Sequence, residues 1–141
     1  MKSKAPLAMM EQIVMVLVFA LSAALCVQVF VLSDRTSREN EARDGAAVMA
    51  QNTAEQIKSV RGDFARAAEL YGGGWNGQMW GASLGADWTP AAADAAVYHV
   101  LAAPSETGRP LLGGATVAVY TADGDCLCTL TAAWQEVAED E

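Results

Sequence analysis

The side chains best suited to nucleophilic or metal chemistry are few: one histidine, His99, and three cysteines, Cys26, Cys126 and Cys128. His99 lies in AVYHVLA, where strand alternation puts it on one face with Val97 and Leu101. That is the setting of a partly buried strand histidine, because a general base needs a partner within hydrogen-bond reach. Cys126 and Cys128 stand two apart, so in a strand they share a face and cannot easily bridge one another. With His99 they would offer thiolate and imidazole donors to zinc, but the spacing is CxC rather than CxxC and a fourth ligand is missing. Reduced thiols on an apolar strand face, with no metal and no cofactor, are therefore expected. The chain has no nucleophile motif, and no glycine-rich loop that follows a strand and opens a helix. No catalytic residue, no small-molecule substrate and no enzymatic activity are expected.

Two other groups invite a functional reading. Trp75, Trp80 and Trp88 fall within GGGWNGQMWGASLGADW, where they either present an aromatic surface to a partner or close the open end of a small core. Glu11 stands at the head of a long uncharged run. A carboxylate at the edge of a hydrocarbon layer costs a few kcal/mol unless it is paired or reaches water. It either meets a cation or lies wet in the interface as an acid at a helix N-terminus.

The elements that position these residues begin with that run. From Ile13 to Leu32 the chain reads IVMVLVFALSAALCVQVFVL, twenty residues without a charge, which as a helix spans about 30 Å, the thickness of a bilayer core. Ser22 and Gln28 are its clearly polar members, each within reach of a carbonyl one turn back or of a neighbouring helix. A cleaved secretory signal is the competing reading. Cleavage near Ser22–Ala24 would leave VQVFVL at a new N-terminus, however, and the run exceeds the roughly 7 to 15 residues usual for a signal core. Lys2 and Lys4 precede the run without acidic company, while Asp34, Arg35, Arg38 and Glu39 beyond it nearly cancel. The positive-inside rule then places the N-terminus in the cytoplasm and the residues after the helix outside. The whole chain of 141 residues has 52% hydrophobic residues and a formal charge of −8. That balance disfavours disorder and repels nucleic acid.

The stretch LAMMEQIVMVLVFALSAAL, a short basic leader followed by apolar residues, one glutamate and an uninterrupted apolar helix, resembles the N-terminus of type IV pilins and of the pseudopilins of type II secretion systems. The resemblance implies that Glu11 is the glutamate at the fifth mature position, with Leu7 the first mature residue and Pro6 the last of the leader. The family has Gly, or less often Ala, where Pro6 stands. It further implies an assembly role for Glu11 and Leu7, the glutamate pairing with the amino terminus of an adjacent subunit. The expected partners are the membrane, other pilin-like subunits and the assembly machinery; the expected location is the cell membrane, crossed once.

Beyond the membrane segment, SDRTSRENEARDG has mixed charge and no apolar stripe. Ala47, Ala50, Ala54, Ile57, Phe64, Ala68 and Tyr71 then recur at helical spacings, with Arg61 the one polar residue on the line. Gly72-Gly73-Gly74 ends the pattern. Counted from about Leu7 such a helix runs roughly 90 Å, with Gly45 and Gly62 as candidate bends. Strands are expected at Ala96–Ala102, Ala115–Tyr120 and Cys126–Trp134, with one more within Met79–Trp88. Asp123-Gly124 marks a hairpin. In the last strand Cys126, Cys128, Leu130, Ala132 and Trp134 form the core face opposite Val117 and Val119. The fold class is α+β: a long N-terminal helix, membrane-spanning in its first half and amphipathic in its second, packed on a small antiparallel β-meander. The expected organisation is a basic leader over 1–8, a membrane helix over 9–33, an amphipathic helix over 34–71, a β-rich head over 72–135 and an acidic tail over 136–141.

Overall fold

A computed structural model describes residues 5–136, and the chain divides after Asn40 into two compact units. The protein is α+β, one long N-terminal helix and a five-stranded antiparallel open sheet. Helix α1 runs Ala5–Ser59. In the first unit every described side chain from Pro6 to Asn40 is exposed, including Phe19 at 76% and Phe30 at 79%. The helix is long and apolar enough to cross a membrane. Two of its hydroxyls turn back on the helix itself. The Ser22 hydroxyl donates to the Val18 carbonyl at 2.8 Å, and the Thr36 hydroxyl to that of Leu32 at 3.0 Å, so both donors are satisfied within the helix. Immediately beyond, Asp34–Arg38 and Arg35–Glu39 form ion pairs at 3.1 Å across one helical turn, the spacing that brings opposite charges together on a wet helix surface.

The second unit is built on the remainder of α1, a short helix α2 (Phe64–Tyr71) and strands β1 (Gly74–Trp75), β2 (Trp80–Leu84), β3 (Tyr98–Pro104), β4 (Leu112–Thr121) and β5 (Cys126–Gln135). Strand order follows chain order, and each neighbouring pair is antiparallel. The β4–β5 hairpin closes at Asp123-Gly124 as its composition demands, with Gly124 at φ 93 and the Thr121 amide donating to Asp125 at 2.9 Å. Ala46, Ala50, Thr53, Ala54 and Ile57 are the buried face of α1. They meet Trp80, Leu84, Val100, Ala102, Ala115, Val117, Val119 and Ala132. Alanines let the helix axis approach the sheet closely, and Ile57, Val100, Val117 and Val119 are completely enclosed, each worth about 1.5–3 kcal/mol in apolar burial.

Four expectations are corrected. The amphipathic helix is not continuous to Tyr71: it breaks after Ser59, where Arg61 (φ 54) and Gly62 (φ 78) turn left-handed. The Gly62 amide bonds to the Ile57 carbonyl and the Arg61 amide to that of Lys58, each at 3.0 Å, which is the Schellman pattern of a terminated helix. Asp63 then caps α2 by accepting from the Arg66 amide at 3.0 Å. The break resets the helical phase, so Ala67 rather than Ala68 or Tyr71 is buried after Phe64. Second, the stripe starts from Ala46, with Ala47 only half-buried, and Gly45 lies within unbroken helix rather than at a bend. Third, β3 runs Tyr98–Pro104 rather than Ala96–Ala102, so Val97 precedes the strand; His99 is half-buried and shares a face with Leu101 as expected, while Tyr98, Val100 and Ala102 form the core side. Fourth, Cys126 is exposed rather than on the core face of β5, because the register shifts between Val119 and Tyr120. Such an irregularity brings consecutive residues to one side, and Leu127 and Cys128 both pack against the core. The rest of that face is as expected, with Val117 opposite Leu130 and Val119 opposite Cys128.

Candidate functional site

The residues singled out by sequence fall in separate places. Leu7 and Glu11 are exposed on the first turns of α1, separated by four positions and hence on one side of the helix. Met1–Lys4, with both leader lysines, and Glu139, Asp140 and Glu141 of the acidic tail lie outside the described residues. The three tryptophans of the glycine-rich segment are engaged within the head. Trp75 stacks on Phe64 with ring centroids 4.9 Å apart, and Trp88 on Tyr98 at 4.0 Å. Trp80 is buried, its indole N–H donating to the Gly72 carbonyl at 3.1 Å. These are contacts of side chains that close a core, with Trp80 buried and Trp75 and Trp88 half-buried.

His99 reaches one side chain, with Nδ1 3.3 Å from the Ser83 hydroxyl across the β2–β3 pair. Cross-strand from it on β4 is Tyr120. The Cys126 thiol lies 3.3 Å from the Thr129 hydroxyl. Among the described residues no group of three or more His, Cys, Asp or Glu converges as metal ligands would. The Asp87 carboxyl is held below its ordinary 3.8 by the Thr89 hydroxyl, which donates to it at 2.7 Å, and by the Thr89 amide. This is a turn-stabilising contact on an exposed loop.

One concavity in the head has no counterpart among the sequence expectations. A groove of about 510 Å³ opens between the Arg61–Gly62 turn, the segment from Ser105 to Arg109 and the end of β5. Arg61 and Arg109 line it together with Glu106 and Glu136, so its formal charges balance. At its base the Trp134 ring lies against Gly62 and Gly113, where an added Cβ would come within 2.3 Å of the indole. The Trp134 indole N–H is buried without an acceptor, and thus has no surface for a ligand to reach. The sequence signals for this feature were Gly62, which suggested a bend, and the Gly113-Gly114 pair ahead of the expected strand Ala115–Tyr120, with nothing to connect either to Trp134.

No protein-family model matches the chain, and neither a curated protein nor a solved structure matches it significantly. A long apolar N-terminal helix followed by a small antiparallel sheet is compatible with a pilin-like fold.

Proposed function

We propose that the chain is a non-enzymatic, pilin-like structural subunit, a minor pilin or pseudopilin of a type IV pilus or a type II secretion-like filament. The observation that carries this reading is the first part of α1: an uncharged run from Ile13 to Leu32, exposed at every side chain, with Glu11 at its head. Apolar surface of that extent must be covered. A bilayer covers it in the unassembled subunit, and neighbouring helices cover it in a filament. The lysines before the run orient it with the N-terminus in the cytoplasm and the head outside. Leaving the bilayer would strip water and lipid headgroups from Glu11, so the carboxylate becomes tolerable only beside a cation brought by the adjoining subunit. With Trp75, Trp80 and Trp88 committed to packing, the alternative of a single-pass protein that binds a ligand or partner through a tryptophan-rich loop loses its main support.

Glu11→Gln keeps shape and hydrogen bonding while removing the charge. In membranes of cells bearing the assembly machinery, the variant should insert and fold as the parent does. Its crosslinking to copies or related subunits should fall severalfold. Equal crosslinking in parent and variant would leave Glu11 as an interfacial acid and remove the proposal's main link to filament assembly.

A further inference from the structure

The two edges of the sheet are treated differently. At one side β1 contributes only Gly74 and Trp75, a short edge that offers little to another strand. At the other, β5 is ten residues long and, among the described residues, pairs with β4 alone. The Glu136 amide donates to the Leu111 carbonyl, which sets the phase of the ladder. Alternation along an antiparallel pair then directs the backbone groups of Trp134, Ala132, Leu130 and Cys128 toward β4. Those of Thr129, Thr131, Ala133 and Gln135 point away from the sheet. All four of these residues are exposed. From Leu127 to Gln135 the edge has no charge and no proline, and its register irregularity lies at the opposite end, near Cys126. Among the described residues, the outer edge from Thr129 to Gln135 lacks the charges, prolines and bulges that ordinarily blunt an edge strand.

The surroundings of the edge define its preferred occupant. After Arg109 the sequence contains no lysine or arginine, while Asp123 and Asp125 precede β5 and Glu136, Glu139, Asp140 and Glu141 follow it. A second copy paired antiparallel would lay the Asp123–Asp125 end of one strand beside the acidic end of the other, and like charges opposed in this way destabilise the pair. An extended segment with basic residues on both sides of an uncharged centre meets opposite charge at each end. We propose that the outer edge of β5 is a strand-addition site for such a segment of another protein, held by the backbone groups of Thr129, Thr131, Ala133 and Gln135 and selected by the acidic flanks. Main-chain hydrogen bonds supply the attachment in this mode, and the flanks supply specificity.

The full-length chain in detergent micelles can be titrated into a fluorescent peptide with a Thr-Val-Thr-Val-Thr centre flanked by lysine pairs. Saturable binding that weakens with added salt is expected. Binding should be at least tenfold weaker for the same peptide flanked by glutamates, and for a lysine-flanked peptide with N-methylated backbone amides at its centre. Thr131→Pro removes one outward amide at a position where an edge strand tolerates proline and should weaken binding at least tenfold. Thr131→Lys, which leaves the backbone intact, should do the same by opposing the basic peptide, so the test survives if the proline variant does not fold. No saturable binding, equal affinity for the N-methylated or glutamate-flanked peptide, or unchanged affinity in the folded Thr131 variants would overturn the proposal. So would head-to-head pairing of copies through β5 at the concentrations used.

Discussion

Arg61 shows how a single residue can mislead a reading by periodicity. On a helical wheel it interrupts the apolar line between Ile57 and Phe64; in the structure it is no longer on a helix, and its side chain is exposed at the position after the terminating turn. At φ 54 it occupies the left-handed region, where a side chain costs about 1–2 kcal/mol that glycine does not incur. Glycine returns part of that gain through the greater freedom of its unfolded chain. Arg61→Gly should therefore stabilise the head by roughly 0.5–1 kcal/mol. All four tryptophans lie after Asn40, so their fluorescence during thermal unfolding in micelles reports this unit selectively. A lowered transition would show that the Arg61 side chain, rather than the backbone of the turn, secures the break.

At the scale of elements, the contact between α1 and the loop before β3 sets intrinsic preference against packing. Gly45 is a poor helix residue, and alanine in its place would by propensity alone add about 1 kcal/mol. Yet a Cβ there would lie 2.3–2.5 Å from three atoms of the Trp88 indole. Trp88 itself has φ 62 and stacks on Tyr98 with the ring planes 3° apart. A bulky residue persists in that backbone region only where its surroundings hold it. Overpacking of this kind costs about 1–3 kcal/mol, which outweighs the propensity gain. Gly45→Ala should consequently lower the unfolding temperature and weaken the near-ultraviolet signal of the stacked pair. In a Trp88→Leu background the same substitution should be neutral or stabilising, the sign reversal expected of directly coupled residues. Stabilisation by Gly45→Ala in the parent would mean that the loop yields freely to the helix.

For the molecule as a whole, the dominant fact is an apolar helix surface exposed at every described side chain between Pro6 and Asn40. Burying one exposed apolar side chain is worth about 1.5–3 kcal/mol, and the run from Ile13 to Leu32 contains many, so the proposed single-pass insertion predicts nearly complete partition into a bilayer. The protein should remain in the membrane pellet through an alkaline carbonate wash and enter solution only with detergent. Recovery in the carbonate supernatant would show that the run is removed by processing or covered by a soluble partner.

Much of the architecture was legible from local pattern. An uncharged run of bilayer length, three glycines after an apolar stripe, Asp-Gly between two alternating segments and the alternation of Val117 and Val119 against Leu130 each arise from short-range geometry, which the chain imposes wherever it goes. Gly62 marked a candidate bend, but that the helix terminates there was not legible because the apolar spacing continued across it; the helix ends at a pair of left-handed residues whose second member must be glycine to admit the Trp134 ring. The same holds for Gly45 beneath Trp88 and for the exposure of Cys126 beyond the register shift. In each, the deciding contact joins residues about forty to seventy positions apart or depends on the pairing of two strands. Periodicity determines which face of an element is apolar, but only the assembled tertiary structure decides which individual side chains compete for the same volume, since that competition arises from close packing between distant segments.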